Sequence, residues 1–141
     1  YLPPVAVFRE GYSRLPRLDL DSLTSSDTLL SVTGVANPRP FVRQLRCYKA
    51  KVKIKRFSDH HNFTHSDMES INEKFTNMVG KRKYILTTEK DAMRLMTNPY
   101  FPHHLRKYIY YLPIRVSFED DNEQPLENVL DQLLRNNSLI R

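Results

Sequence analysis

Asp59, His60 and His61 stand side by side, with His65 and Asp67 close behind. A carboxylate next to an imidazole can fix its tautomer, and an imidazole exchanges protons near neutral pH. The residues alone leave three readings open. The histidines are idle on a capped surface loop. Alternatively, His61 and His65, flanked by Asp59 and Asp67, hold a metal. In the third, a carboxylate-oriented histidine faces a cleft as a general base or phosphate contact. Two further segments are similarly polar, Gly34-Val35-Ala36-Asn37-Pro38 and Thr87-Thr88-Glu89-Lys90-Asp91. Each of these two is equally a well-made strand-to-helix turn. The free amides of the first also suit a phosphate, and the Lys and two carboxylates of the second suit a polar ligand. One Gly in the first segment makes no dinucleotide fingerprint.

The surrounding pattern says what must position them. Residues 28–35 read as a buried strand, and Asn37 caps a helix with Pro38 at its first position. Phe41, Val42, Leu45 and Tyr48 give that helix its apolar stripe. Lys51–Phe57 reads as a strand that delivers the chain to Asp59. Ser66 and Glu69 then form a capping box for a helix bearing Met68, Ile71, Phe75 and Met78, ended by Gly80, with His65 in the loop before it. A third strand at Lys83–Thr87 runs into Thr88 and Asp91, a second capping signal, with Ala92, Met93, Leu95 and Met96 continuing as helix. A fourth strand over Tyr108–Phe118 is broken by Pro113, and a last helix covers about Glu123–Asn136.

This alternation predicts an α/β fold: a small, mostly parallel, Rossmann-like sheet of about four strands with helices on both faces. Ligands of such sheets sit beyond the carboxyl ends of the strands, where the three polar segments fall. Residues 1–26, rich in Pro, Arg, Ser and Leu, read as an inter-domain linker or hairpin region, with a short strand over Pro4–Phe8. The α/β domain then occupies 27–141. Tyr1 with Leu2-Pro3-Pro4 suggests a segment internal to a longer chain.

The 141 residues, 40% of them hydrophobic, argue for a globular domain with a sizeable core. No apolar run approaches the roughly 18 residues of a membrane span. Cys47 is the single cysteine, which rules out an internal disulfide and reads as a small packed residue. His103-His104 reads as surface. The net charge of +6 is uneven: seven basic residues and no acid lie between Arg43 and Arg56, whereas 119–131 is acidic. The basic run suits phosphates on nucleic acid, lipid or a small molecule. It also reads as a solvated strand face, with Val52 and Ile54 turned inward.

The order Gly34-x-x-Asn37-Pro38-x-x-Phe41, then Asp59-His60-His61, then Thr87-Thr88-Glu89-Lys90-Asp91-Ala92-x-Arg94-Leu95 resembles the C-terminal half of the tetraacyldisaccharide 4'-kinase family of lipid A biosynthesis. Met93 at the variable position is a mild departure. The resemblance covers 28 to about 96 and implies transfer of the γ-phosphoryl of ATP, with Mg²⁺, to the 4'-hydroxyl of a lipid A disaccharide precursor. It also implies a preceding P-loop domain and work at the cytoplasmic face of the bacterial inner membrane, an anionic surface, without nucleic acid. By the same resemblance His60, or less readily His61, reaches across a cleft to assist the other domain, with Asp59 orienting the ring. Thr88, Glu89, Lys90, Asp91 and Asn37 become candidate ligand contacts, and no resident metal is expected. The sequence lacks Gly-x-x-x-x-Gly-Lys-Ser/Thr, so this chain is expected neither to hold ATP nor to catalyse alone. Two rivals remain: a metal-dependent phosphoesterase using Asp59, His60, His61 and Asp67, and a basic module for nucleic acid or anionic lipid.

Overall fold

The structure, a computed structural model, describes residues 3–9, 14 and 16–113. The expected C-terminal helix and the end of the fourth strand lie outside them. The elements run β1 (Val5–Ala6), β2 (Thr28–Thr33), α1 (Arg39–Leu45), β3 (Lys51–Arg56), α2 (His65–Asn77), β4 (Lys83–Thr88), α3 (Glu89–Met96) and β5 (Ile109–Leu112). Short 3-10 turns occupy Leu20–Ser22 and His103–Tyr108.

The described strands form one sheet in the order β1-β5-β4-β2-β3. β2 pairs in parallel with β3 and β4, and β4 with β5; only β1 runs antiparallel to its neighbour. The α/β class, the mostly parallel sheet and the helices on both faces are as the alternation predicts, and the fifth strand is the two-residue β1. The described part of the first 26 residues packs on the domain, with Leu18, Leu20 and Leu23 buried.

Every residue of β2 is buried, because strands flank it and helices cover both its faces. Leu30 and Val32 join Met68, Ile71 and Phe75 of α2 and Ala92 and Leu95 of α3. On the other face Leu29 joins Phe41, Val42 and Leu45 of α1. Each such buried side chain stabilises the fold by about 1.5–3 kcal/mol relative to exposure. At the amino end of the sheet, Asp27 is 1% exposed and takes bonds from Arg82 Nε at 3.2 Å and Nη2 at 3.0 Å. The Arg82 guanidinium beside it holds its carboxyl below the usual carboxylate range.

Several local expectations are corrected. The α2 capping box is Thr64 with Asp67, not Ser66 with Glu69: Asp67 N–H donates to Thr64 Oγ1 at 3.1 Å and Thr64 N–H to Asp67 Oδ2 at 2.8 Å. His65 therefore opens the helix instead of preceding it. α1 begins one residue late, with Pro38 at the cap, although Asn37 Oδ1 still accepts from Arg39 N–H at 3.3 Å. Gly80 lies three residues past the end of α2, and its smallness serves another end. A Cβ there would stand 2.8 Å from Thr28 Oγ1. Ile54 is 39% exposed, not turned into the core, since among the described strands β3 has a neighbour on one side only. Cys47 is exposed, its Sγ 3.4 Å from the Arg43 carbonyl.

Candidate functional site

Three chain segments leave the carboxyl ends of β2, β3 and β4 and meet around Gly34. Its N–H donates to Asp91 Oδ2 at 2.9 Å. A Cβ on Gly34 would stand 3.3 Å from Asp91 Oδ1, 3.5 Å from Phe63 Cζ and 3.6 Å from the Ser58 carbonyl. A Cβ would fit against Phe63 and Ser58 at ordinary contact but crowd the Asp91 carboxylate by a few tenths of an ångström, so Gly suits this close approach. All three polar segments singled out in the sequence are thus brought together.

Thr88 caps α3 with its Oγ1, which accepts from Asp91 N–H at 3.0 Å and donates to Asp91 Oδ2 at 2.8 Å. Asp91 is wholly buried and its Oδ1 faces Arg94 Nη1 at 4.0 Å, too far for a hydrogen bond and near enough to pair as charges. Asp91 and Thr88 are therefore tied into the framework, whereas Lys90 is exposed. Burial raises the Glu89 carboxyl above its ordinary range. Asn37 is exposed, three residues past Gly34.

The loop after β3 separates the two adjacent histidines. His61 is half-buried, stacked on Phe57 with ring centres 5.1 Å apart, and its Nε2 lies 2.7 Å from Asp67 Oδ2. Burial pushes the Asp67 carboxyl up, but bonds from Thr64 and His61 outweigh it and leave the group below its usual range. Phe63 packs edge-on against Phe57, and its carbonyl accepts from Asn98 Nδ2 at 3.0 Å. His60 is left outside this packing, its side chain 77% exposed. Its Nε2 stands 3.4 Å from Asp59 Oδ2, and its N–H donates to Asp59 Oδ1 at 3.1 Å.

His60 also has φ of 58°, the one positive value at a non-Gly position among the described residues. The left-handed region costs an L-residue roughly 1–2 kcal/mol, and such strain gathers at functional sites. The loop therefore presents one imidazole outward with a carboxylate alongside. Such a pair can take up, hold or pass a proton, or meet a phosphate when the ring is charged.

The four-residue metal set of Asp59, His60, His61 and Asp67 is not assembled, since His61 and Asp67 are bonded to each other. No group of three His, Cys, Asp or Glu side chains suited to a metal ion occurs among the described residues. His65 instead stacks on Tyr100 at 4.5 Å and pairs with Glu69 at 3.3 Å. The sequence reading missed Asn98, Phe63 and Arg94 as supports of the site. Thr64-x-x-Asp67 carried a visible capping signal, masked by the overlapping Ser66-x-x-Glu69.

Fold and site together define an open α/β domain whose polar loops gather at the carboxyl edge around one presented histidine. The chain belongs to the tetraacyldisaccharide-1-P 4'-kinase family, whose model matches residues 9–135. It is 36% identical over 126 residues to the tetraacyldisaccharide 4'-kinase of Bacteroides thetaiotaomicron, covering 89% of this chain and 33% of that protein. It is likewise 36% identical over 121 residues to that of Phocaeicola vulgatus, covering 86% and 33%. The Flavobacterium johnsoniae enzyme is 32% identical over 127 residues, covering 90% and 34%. The chain thus spans about a third of the length of these relatives. No solved structure matches it.

Proposed function

We propose that this chain is the C-terminal domain of a kinase that transfers the γ-phosphoryl of ATP to the 4'-hydroxyl of a tetraacyldisaccharide 1-phosphate, and that His60 is its contribution to the chemistry. The observation that carries this is the separation of the two histidines: His61 is bonded into the loop, while His60 is held out in a strained backbone beside Asp59. Family membership supports the substrate class.

The described residues of this chain do not fit a nucleotide or Mg²⁺ site. The sequence has no Gly-rich phosphate loop, and the described residues offer no cluster suited to a cation. In this reading ATP and Mg²⁺ are held by a P-loop domain outside these residues, and the chain alone is inactive. The acceptor is met at the anionic cytoplasmic face of the inner membrane. Asp59 orients the His60 ring, which then assists proton removal from the reacting centre across a closed cleft. Asn37, Glu89 and Lys90 lie in the segments that follow β2 and β4, where they contact the polar part of the substrate. Asp91 and Thr88 act from behind, by fixing the loops.

The experiment uses the full-length protein with His60→Gly, which permits a positive φ without a Cβ. Expected is a fall in kcat of about 10²–10⁴-fold, the usual worth of a positioned acid or base. KM for ATP should change less than about threefold, and the unfolding midpoint should not drop. Turnover within threefold of wild type overturns the assignment.

A further inference from the structure

Along the outer flank of α1 and onto β3 runs a groove of about 470 Å³, walled by Arg39, Arg43, Arg46 and Arg56 over a floor of Pro38, Val42 and Ile54. Among the described residues no carboxylate lines it, and none of the four arginines is ion-paired with a described residue. Arg56 is tethered at its far end, where Nη2 donates to the Ala36 carbonyl at 3.3 Å. Arg39, Arg43 and Arg46 follow one another at four and three residues, so they share a helix flank where like charges repel unless an anion sits between them.

The floor is apolar, and Ile54 is 39% exposed within it. The opposite face of β3 differs: there Lys53 and Lys55 share a hollow with Glu73 and Lys74, so an acid offsets part of the charge. Guanidinium forks match phosphate oxygens in pairs, which ammonium groups do not. Arginines without an ion-pair partner among the described residues, set over exposed aliphatic carbon, match the boundary of a bilayer, where headgroup phosphates lie just above apolar chains. The groove also opens at the carboxyl end of β3, since Arg56 closes that strand three residues before Asp59.

We infer that this groove seats the domain on an anionic bilayer, its arginines on lipid headgroup phosphates and Ile54 against the apolar boundary. The assignment rests on the kinase reading for its purpose, a substrate held in a membrane. Vesicle binding needs no turnover, so the two fail separately.

The test is co-sedimentation of the 141-residue chain with vesicles of equimolar phosphatidylglycerol and phosphatidylcholine, against phosphatidylcholine alone. Each basic residue near an anionic surface is worth about fivefold in partitioning. Arg43→Gln/Arg46→Gln should therefore bind the anionic vesicles about 25-fold more weakly, and Ile54→Ala should also weaken binding. Lys53→Gln/Lys55→Gln removes the same charge from the other face and should cost less than about fivefold. Equal losses in the two double variants would mean diffuse attraction and overturn the groove. So would wild-type chain that ignores the anionic vesicles while inorganic phosphate shifts the arginine side-chain NMR signals, which marks a site for a soluble anion.

Discussion

Removing the Asp91 carboxylate should disturb more than one segment at once. In the wild type it accepts from Gly34 N–H at 2.9 Å and Thr88 Oγ1 at 2.8 Å, and faces Arg94 at 4.0 Å. Asp91→Ala leaves a buried N–H without an acceptor and a half-buried guanidinium without its countercharge. An orphaned buried donor costs about 1–3 kcal/mol, and a broken buried ion pair about 3–5 kcal/mol. The ion-pair contact is long, so a combined loss of about 4 kcal/mol is expected. With a urea slope of about 2 kcal/mol/M, the unfolding midpoint should fall by about 2 M. Asp91→Asn keeps the volume and one acceptor, so it should lose about half as much and isolate the charge facing Arg94. Amide hydrogen exchange at Gly34 reads the same bond locally and should quicken in Asp91→Ala more than exchange in the middle of β2. A loss below about 1 kcal/mol, or unchanged Gly34 exchange, would refute the idea that this carboxylate ties the loops.

Gly80→Ala puts a methyl group 2.8 Å from Thr28 Oγ1, which bonds the Val79 carbonyl at 2.7 Å. A loss of about 1–3 kcal/mol is expected, and pairing it with Thr28→Ala should give less than the sum of the two single losses. For Asp67 the folded pKa lies below the unperturbed 3.8, so the stability it adds is complete above that pH and is lost as pH falls through the folded value. The gap in unfolding free energy between wild type and Asp67→Asn should accordingly narrow below pH 3.8, and a constant gap down to about pH 2 would contradict the linkage.

The strands and helices were legible because their cues are local. The continuous buried run of β2 and the spacing of Met68, Ile71 and Phe75 each follow from the local residue pattern. The convergence of three polar segments also followed, from the rule that parallel strands present their carboxyl ends together. The distinction between His60 and His61 did not. It depends on Asp67 and Phe57 capturing one ring, a contact set by where α2 begins, and two overlapping capping signals hid that start. The burial of Asp91 was equally hidden, because its partner Gly34 lies 57 residues away in sequence. Cys47 and Ile54 erred in the same direction: apolar character suggests the interior, but the strand at the sheet's border and the end of a short helix lack enough neighbours to enclose them.

That border carries its own safeguard. A lone strand with open N–H and C=O groups invites another chain to add itself, and stacking of copies follows. β3 sets Lys51, Lys53, Lys55 and Arg56 along six residues, so a second copy laid alongside would press like charges together. The strand at the other flank, β1, is two residues long, too short to template much. The same cations that invite phosphates thus discourage self-association, and neutralising them wholesale should favour fibrous aggregates even where the folded state is unharmed.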